Sequence, residues 1–237
     1  MIDLTTNPFS DARASYYHKS LGGYHAAKLM RFQEILENQF NGAVNEDVLD
    51  MFNVRYVITG DEQKGQRIQR RSSAAGNAWF VDQVTFVKDN AQEMQAISSF
   101  NPSKEAFVSE EFKDKFNGQR LGVPVNASIK LTSYHPDKMV YEYSTPTEAF
   151  AVFSEVYYEK GWKAFVDGKE IPIIRADYIL RALQLPGGNH KVEFIFDPES
   201  HKLGGMLTLI ASIILGLGLV AAVYLSVKND KTKKAIT

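Results

Sequence analysis

The stretch FSEVYYEKGWKAFVDGKEIPIIRADYILRALQLPGGNHKVEFIFDP, residues 153–198, decides the fold. Asp167-Gly168 stands between two runs rich in β-branched and aromatic residues, 162–166 and 171–175. Such a dipeptide favours the two-residue turn whose twist matches a hairpin. Pro186-Gly187-Gly188-Asn189 marks a second turn, between a strand over 178–185 and a last strand over 190–196. In that last strand Val192, Phe194 and Phe196 alternate with Lys191 and Glu193, the period of two that turns one face to a core. Trp162 shares the face of Ala164 and Val166, so it is expected inside. Upstream, 128–132 and 138–143 alternate in the same way around the turn His135-Pro136-Asp137, and 150–158 is a long aromatic strand. Short strands with turns at this spacing predict an antiparallel β-sandwich over residues 118–200.

Residues 1–117 have a different texture. Tyr24, Leu29, Phe32, Leu36 and Phe40 recur at near-helical spacing and predict an amphipathic helix over 20–40. Asn41-Gly42 ends it, since both residues tolerate a left-handed C-cap. Asn45 can cap a short helix through Phe52, and 54–59 is β-branched enough for a buried strand. The polar, basic run 60–75 reads as a loop. Strand character returns over 79–87, Asn90 with Glu93 fits a capping box for a helix toward Phe100, and 106–108 reads as a short strand. The first region is thus a small mixed α/β layer, and the chain is of class α+β.

The sandwich runs into LGGMLTLIASIILGLGLVAAVYLSV, residues 203–227, which holds no charged side chain. About 25 helical residues cross a hydrocarbon core of roughly 30 Å with some tilt. A helix also satisfies its own backbone polar groups, as lipid demands. The partner this transmembrane helix needs is the lipid bilayer. The basic tail, 228–237, sets Lys228, Lys231, Lys233 and Lys234 against Asp230, and a lysine excess stays on the cytoplasmic side. The expectation is a single span in the cytoplasmic membrane, with the C-terminus cytoplasmic and the bulk extracytoplasmic. The whole chain has a formal net charge of -1. Subtracting a tail of about +3 leaves about -4 for the rest, no electrostatic footprint for nucleic acid. The opening MIDLTTNPFSDARASYYHK has neither the basic nor the apolar region of a signal peptide. The expected explanations are a tail anchor facing the cytoplasm or, preferred here, the end of a longer polytopic protein.

Candidate chemistry is sparse. With no cysteine in the chain, disulfides, thiolate metal sites and cysteine nucleophiles are excluded. The five histidines are scattered without ligand spacing, so no metal and no cofactor is expected. No nucleophile elbow, phosphate loop or dinucleotide fingerprint occurs, and no catalytic residue is assigned. Glu155, Glu159, Asp167, Glu170 and Asp177 cluster in sequence, but turn and solvated strand positions account for them better than a glycosidase pair does. Tyr157, Tyr158 and Trp162 crowd together with Arg175 and Arg181 nearby. Aromatic faces stack on sugar rings and arginines hold phosphate. Tyr157, Tyr158, Arg175 and Arg181 are therefore the candidate substrate-binding residues, with sandwich packing as the plainer account of the aromatics.

At these residues the chain resembles the C-terminal part of the bacterial YfhO family of polytopic membrane proteins. The matching stretches are YYHKSLGGYHAAK (16–28), LDMFNVRYVI (49–58), GNAWFV (76–81) and, most specifically, residues 153–198 followed by the apolar span. Members of the family look like GT-C type glycosyltransferases, which move a sugar from a polyprenyl phosphate to a cell-envelope acceptor outside the membrane. The resemblance implies an acidic catalytic residue among the first spans, a region to which no position here corresponds. It implies that this chain is a non-catalytic extracytoplasmic domain and last span in the bacterial cytoplasmic membrane. Its partners would then be an N-terminal membrane domain of the same protein and an envelope glycan or lipid-linked sugar. The alternative is an independent membrane-anchored module that binds glycan or protein and has no transferase role.

Overall fold

The computed structural model describes residues 1–61, 65–116 and 125–234. In chain order the first elements are β1 (Ile2–Asp3), α1 (Arg13–Tyr17), α2 (Met30–Gln39), α3 (Glu46–Met51), β2 (Tyr56–Asp61) and β3 (Gly65–Arg70). Next come β4 (Ala78–Phe80), β5 (Gln83–Val87), α4 (Asn90–Ala96), β6 (Glu105–Ser109) and a 3-10 turn (Glu110–Lys115). Then follow β7 (Ser128–Tyr134), β8 (Lys138–Thr145), β9 (Ala149–Val156), β10 (Trp162–Val166) and β11 (Lys169–Ile171). The chain continues through β12 (Ile174–Ala176), β13 (Leu180–Leu185), β14 (Gly188–Phe196) and the long helix α5 (Glu199–Lys234).

Two sheets make the sandwich. One has five strands in the order β11-β10-β14-β8-β7, all antiparallel; the other has six, β4-β9-β13-β12-β6-β5, antiparallel except for the pair β5 and β6. A small third sheet, β1-β2-β3, lies apart from them. The six-stranded sheet is covered on both faces. Along β9, Ala151 and Phe153 enter a core with Tyr141, Ala164, Val192 and Phe194 of the five-stranded sheet. Phe150 and Val152, pointing the other way, join Ile35, Val48, Met51 and Ile97 of the helical side. Burial on both faces explains why β9 reads AFAVF without polar interruption, as central strands do. The fold is α+β, three layers deep: sheet, sheet, helices.

Strands from before residue 118 (β4, β5, β6) and after it (β9, β12, β13) share the six-stranded sheet. The division expected at 117/118 therefore runs across a shared sheet, and its linker, 118–124, lies outside the described residues. Other expectations met differences with local causes. The helix expected over 20–40 begins only at Met30. Gly22 sits where a Cβ would come within 2.2 Å of the Pro8 carbonyl oxygen, and Gly23 has φ +137, so this stretch is a fitted loop. The expected loop 60–75 contains β3, a fully exposed strand that pairs with β2 through its backbone. The hairpin at Asp167-Gly168 is present but short: Ala164 faces Ile171, and beyond Pro172 the chain crosses to the other sheet as β12. Asn45 caps α3 as expected, accepting from the Asp47 and Val48 N–H groups. Asp89 rather than Asn90 caps α4.

Helix α5 leaves from the end of the sandwich where Phe196 N–H donates to the Asp137 carbonyl and Asp197 N–H to that of Gly161. Residues Glu199–Leu225 have a mean hydropathy of 2.5, with none of that span buried against the rest of the protein. It is long and apolar enough to cross a membrane, and its leucines and isoleucines find no protein cover among the described residues.

The turn between β12 and β13 is strained and pinned. Asp177 and Tyr178 both take positive φ, 49° and 70°, costly for a bulky aromatic residue. Tyr178 N–H donates to Glu93 Oε1 at 3.0 Å and its hydroxyl to Glu34 Oε2 at 2.5 Å. Asp177 Oδ1 accepts from Phe107 N–H at 2.8 Å, while its Oδ2 is buried without a partner among the described residues. Burial first, and then the Glu93 and Glu105 carboxylates, hold the Asp177 carboxyl well above the usual carboxylate range. A raised acid favours the fold most below its unfolded value near 3.8, and that contribution is lost as pH climbs toward the folded value. Asp177→Asn keeps the acceptor and removes the titration. Chemical denaturation across pH 4 to 8 should show a flatter stability profile and a gain at neutral pH. Asp177→Ala, which orphans the Phe107 N–H, should lose about 1 to 3 kcal/mol instead.

Candidate functional site

The arginine-aromatic segment is brought together only in part. Arg175 and Arg181 lie opposite each other in the β12/β13 register, yet each is 4% exposed and turns to different partners. Arg175 Nη2 is 3.2 Å from Glu93 Oε2 and 2.8 Å from Glu111 Oε1. Arg181 donates from Nε to the Val156 carbonyl at 2.9 Å, and its guanidinium stacks 3.9 Å from the Trp162 ring centre. Burial pushes Arg181 down to about 10, so it remains a cation at neutral pH. Tyr157 packs edge-on against Phe112, and Tyr158 is 41% exposed in the loop that follows. Trp162, expected in the core, is half-buried at its margin between Phe196 and Arg181. Each arginine thus has structural partners: Glu93 and Glu111 for Arg175, the Val156 carbonyl and Trp162 for Arg181.

Two buried carboxylates belong to that internal chemistry. Glu93 is fully buried, and burial raises it although Arg175 and the Tyr178 N–H oppose the shift. With Asp177 it forms the clasp on the strained turn, sealed from solvent. Asp167, by contrast, sits in the exposed hairpin, with Oδ2 at 2.6 Å from His190 Nδ1 and Oδ1 accepting from Lys191 N–H. The Lys191 N–H and then His190 hold Asp167 below the usual carboxylate range. Asp167 and Glu155 occupy opposite ends of the sandwich, because Val166 adjoins Val192 while Trp162 adjoins Phe196. A glycosidase needs its two carboxylates within about 5 to 10 Å across one bond, and these two do not meet.

A further carboxylate, Glu155, is half-buried and lines a concave site. It follows Phe153 on the inner face of β9 and emerges at the same end of the sandwich as Tyr134, the last residue of β7. There a cleft of about 250 Å³ is lined by Lys19, Asn53, Asn77, Tyr134, Ser154 and Glu155. The Gly22-Gly23 loop returns over Pro8 and sets the Lys19 ammonium 3.6 Å over the Tyr134 ring. Asn53, held at φ 53°, donates to Asn77 Oδ1 at 2.8 Å. The Ser154 hydroxyl donates to the Met51 carbonyl at 2.9 Å and so keeps its lone pairs for the cleft. Burial raises the Glu155 carboxyl, while Arg181 and Lys19 pull it back. Behind it, Arg181 Nη1 and the Tyr141 hydroxyl are buried without hydrogen-bond partners among the described residues. Nothing in the sequence foretold this constellation: Lys19, Tyr134 and Glu155 come from three distant segments. Among the described residues, no group of three or more histidines, aspartates and glutamates is placed to hold a metal ion.

The geometry separates two kinds of arginine loss. Arg175→Gln strips the cation from a sealed Glu93 and should cost about 3 to 5 kcal/mol, read as a lower denaturation midpoint at unchanged slope. Trp162→Ala should cost about 2 to 3 kcal/mol, less than the loss of a sealed core aromatic, because it forfeits partial burial and one cation–π contact.

Comparison with curated proteins and with solved structures finds no match. A family model does match. It covers residues 124–208 and is described as bacterial membrane protein YfhO. The matched stretch takes in β7 to β14, Glu155, both arginines and the start of α5, whereas the resembling stretches at 16–28, 49–58 and 76–81 lie outside it. Residues 124–208, sandwich and helix start together, are similar to the bacterial membrane protein YfhO family.

Proposed function

We propose that this chain is the extracytoplasmic C-terminal domain and last membrane span of an envelope glycosyltransferase. Its parent would transfer sugar from a polyprenyl-phosphate donor to a cell-envelope acceptor, and this domain would be non-catalytic. The observation that carries the reading is the family match running without a break from the sandwich into an apolar helix. Family membership itself points to an envelope-related membrane protein. The remainder comes from the resemblance to GT-C type enzymes, in which an upstream membrane domain holds the catalytic acid. The most deeply buried carboxylates here, Glu93 and Asp177, are engaged in the turn clasp. In this role the domain sits over the membrane-embedded site and orients the acceptor. The second reading, an anchored glycan- or protein-binding module, draws support from the Glu155 cleft, a site that needs no transferase around it.

The orientation rests on the lysines after residue 227. This chain has no cysteine, so once any upstream cysteine is replaced, single cysteines report topology cleanly. In intact cells making the protein with its upstream spans, Glu170→Cys should react with a membrane-impermeant maleimide. Lys234→Cys should react only after permeabilisation. The reverse pattern would sink the assigned topology.

Activity offers a separate test. The chain alone in lipid nanodiscs, given a polyprenyl-phosphate sugar and envelope acceptors, should transfer no more than a heat-killed control. The protein with its upstream spans should transfer sugar. Transfer by the chain alone, abolished in Glu155→Gln, would overturn the non-catalytic assignment; no transfer by the longer protein would favour the anchored module.

A further inference from the structure

We infer that the cleft around Glu155 is a binding site for a single neutral sugar ring, placed where it meets sugars held at the membrane surface. The inference deepens the reading above by naming where a glycan sits, and it is tested by binding rather than transfer.

Size comes first. A cleft of about 250 Å³ falls below the roughly 300 to 1,000 Å³ of sites for drug-sized ligands, and suits one small polar ring. The hydrogen-bonding inventory comes next. Glu155 makes no hydrogen bond among the described residues, so both of its oxygens can accept. The Asn77 amide nitrogen, the Lys19 ammonium and the Tyr134 hydroxyl remain as donors, since the bonds of this cleft use the Asn77 carbonyl oxygen and only the face of the Tyr134 ring. Acceptors and donors interleaved around a small space match vicinal hydroxyls, each of which gives one hydrogen bond and takes others.

Charge narrows the class. Lys19 at the cleft and the buried Arg181 behind it both offset the Glu155 charge, so a cationic ligand gains little from the carboxylate and meets the Lys19 ammonium. An anionic ligand meets the carboxylate itself, partly desolvated in the cleft. A neutral polyol meets neither penalty, and its hydroxyls supply donors to a half-buried carboxylate. Tyr134, 44% exposed, has Lys19 over one face of its ring, which leaves the other face for sugar C–H groups to pack on.

Position completes the argument. Tyr134 precedes the turn whose Asp137 carbonyl accepts from Phe196 N–H, and α5 begins three residues after Phe196, at Glu199. From there to the uncharged segment at 203 the rise is about 6 Å. The cleft thus lies at the end of the domain nearest the bilayer, within reach of a lipid-borne sugar as well as a free one.

The test uses the full chain in nanodiscs, with saturation-transfer NMR and titration against two probe sets. One set is free glucose, galactose and N-acetylglucosamine; the other is a monohexosyl diacylglycerol incorporated in the disc. Saturable binding of at least one probe is expected, weakened at least tenfold by Glu155→Gln and severalfold by Lys19→Ala. Lys19 is exposed, so its replacement leaves the fold intact even if the Glu155 variant melts early. Asp167→Asn, at the opposite end, should leave binding unchanged. Binding of the lipid-borne probe alone assigns the site to membrane glycolipid; binding of free sugars assigns it to glycan ends. No saturable binding of either set, or binding indifferent to both cleft variants, overturns the inference. The topology and transfer results stand or fall without it.

Discussion

The contact on which this architecture depends is the aromatic clasp between its two sheets. Phe153 of β9 and Phe194 of β14 meet edge to face with ring centres 4.9 Å apart, and Tyr141 of β8 closes the triangle at 4.9 and 6.1 Å. All three rings are essentially sealed from solvent. Edge-to-face pairs add about 0.5 to 1.5 kcal/mol each beyond area burial, and they fix distance and angle as well as affinity. The end of the sandwich from which α5 departs follows from them. Two residues past Phe153 stands Glu155; two residues past Phe194 stands Phe196, from which the helix departs. The clasp therefore holds the cleft and the anchor at one end of one rigid body.

The second constraint is the doubly covered sheet. A sheet buried on both faces has no solvent side on which to place charge, yet Arg175 and Arg181 lie within it. Each is resolved differently. Arg175 is matched by Glu93 and Glu111, and that match also supplies the acceptor that pins Tyr178 in an unfavourable backbone conformation. Arg181 keeps one guanidinium bond to the Val156 carbonyl, leans its plane on Trp162, and leaves the remainder facing Tyr141 and Glu155. The first arrangement is closed and structural. The second sits behind the Glu155 cleft, and each arginine keeps one buried nitrogen without a hydrogen-bond partner among the described residues, Nε of Arg175 and Nη1 of Arg181.

How much of this was readable in the sequence follows from the range of each interaction. The hairpin at Asp167-Gly168, the cap at Asn45, the alternation of Val192 and Phe194 and the uncharged helix are decided by neighbours within a few residues, and all are present. Strand β3, reading GQRIQR, was unreadable because every side chain is exposed and only its backbone pairs, so no periodic face marks it. The late start of α2 depends on Gly22 meeting Pro8. Glu93 looked like a helix cap because its spacing allowed it; in the fold it reaches Arg175, 82 residues away. The arginines were read as functional because their carboxylate partners lie far off in sequence. The cleft was invisible for the same reason: Lys19 and Tyr134 touch across the whole first region.

A small domain fused to an apolar helix long enough to cross a membrane gains from a short, fixed junction. The segment between the sandwich and the uncharged span is short, and its first residues are tied back to Asp137 and Gly161 by backbone hydrogen bonds. A Gly161 side chain would strike Phe196 and Pro198 at under 3 Å, so glycine there lets the strand end and the helix entry approach closely. Such a junction transmits orientation. A flexible linker would let the domain sample all angles above the bilayer, and a cleft at its base would face the membrane only part of the time. With the exit strand hydrogen-bonded on both sides and the helix starting at once, the cleft is held at the base of the domain beside the anchor. A surface site that is weak by itself gains from that placement, since ligands confined to the membrane are presented to it at high effective concentration.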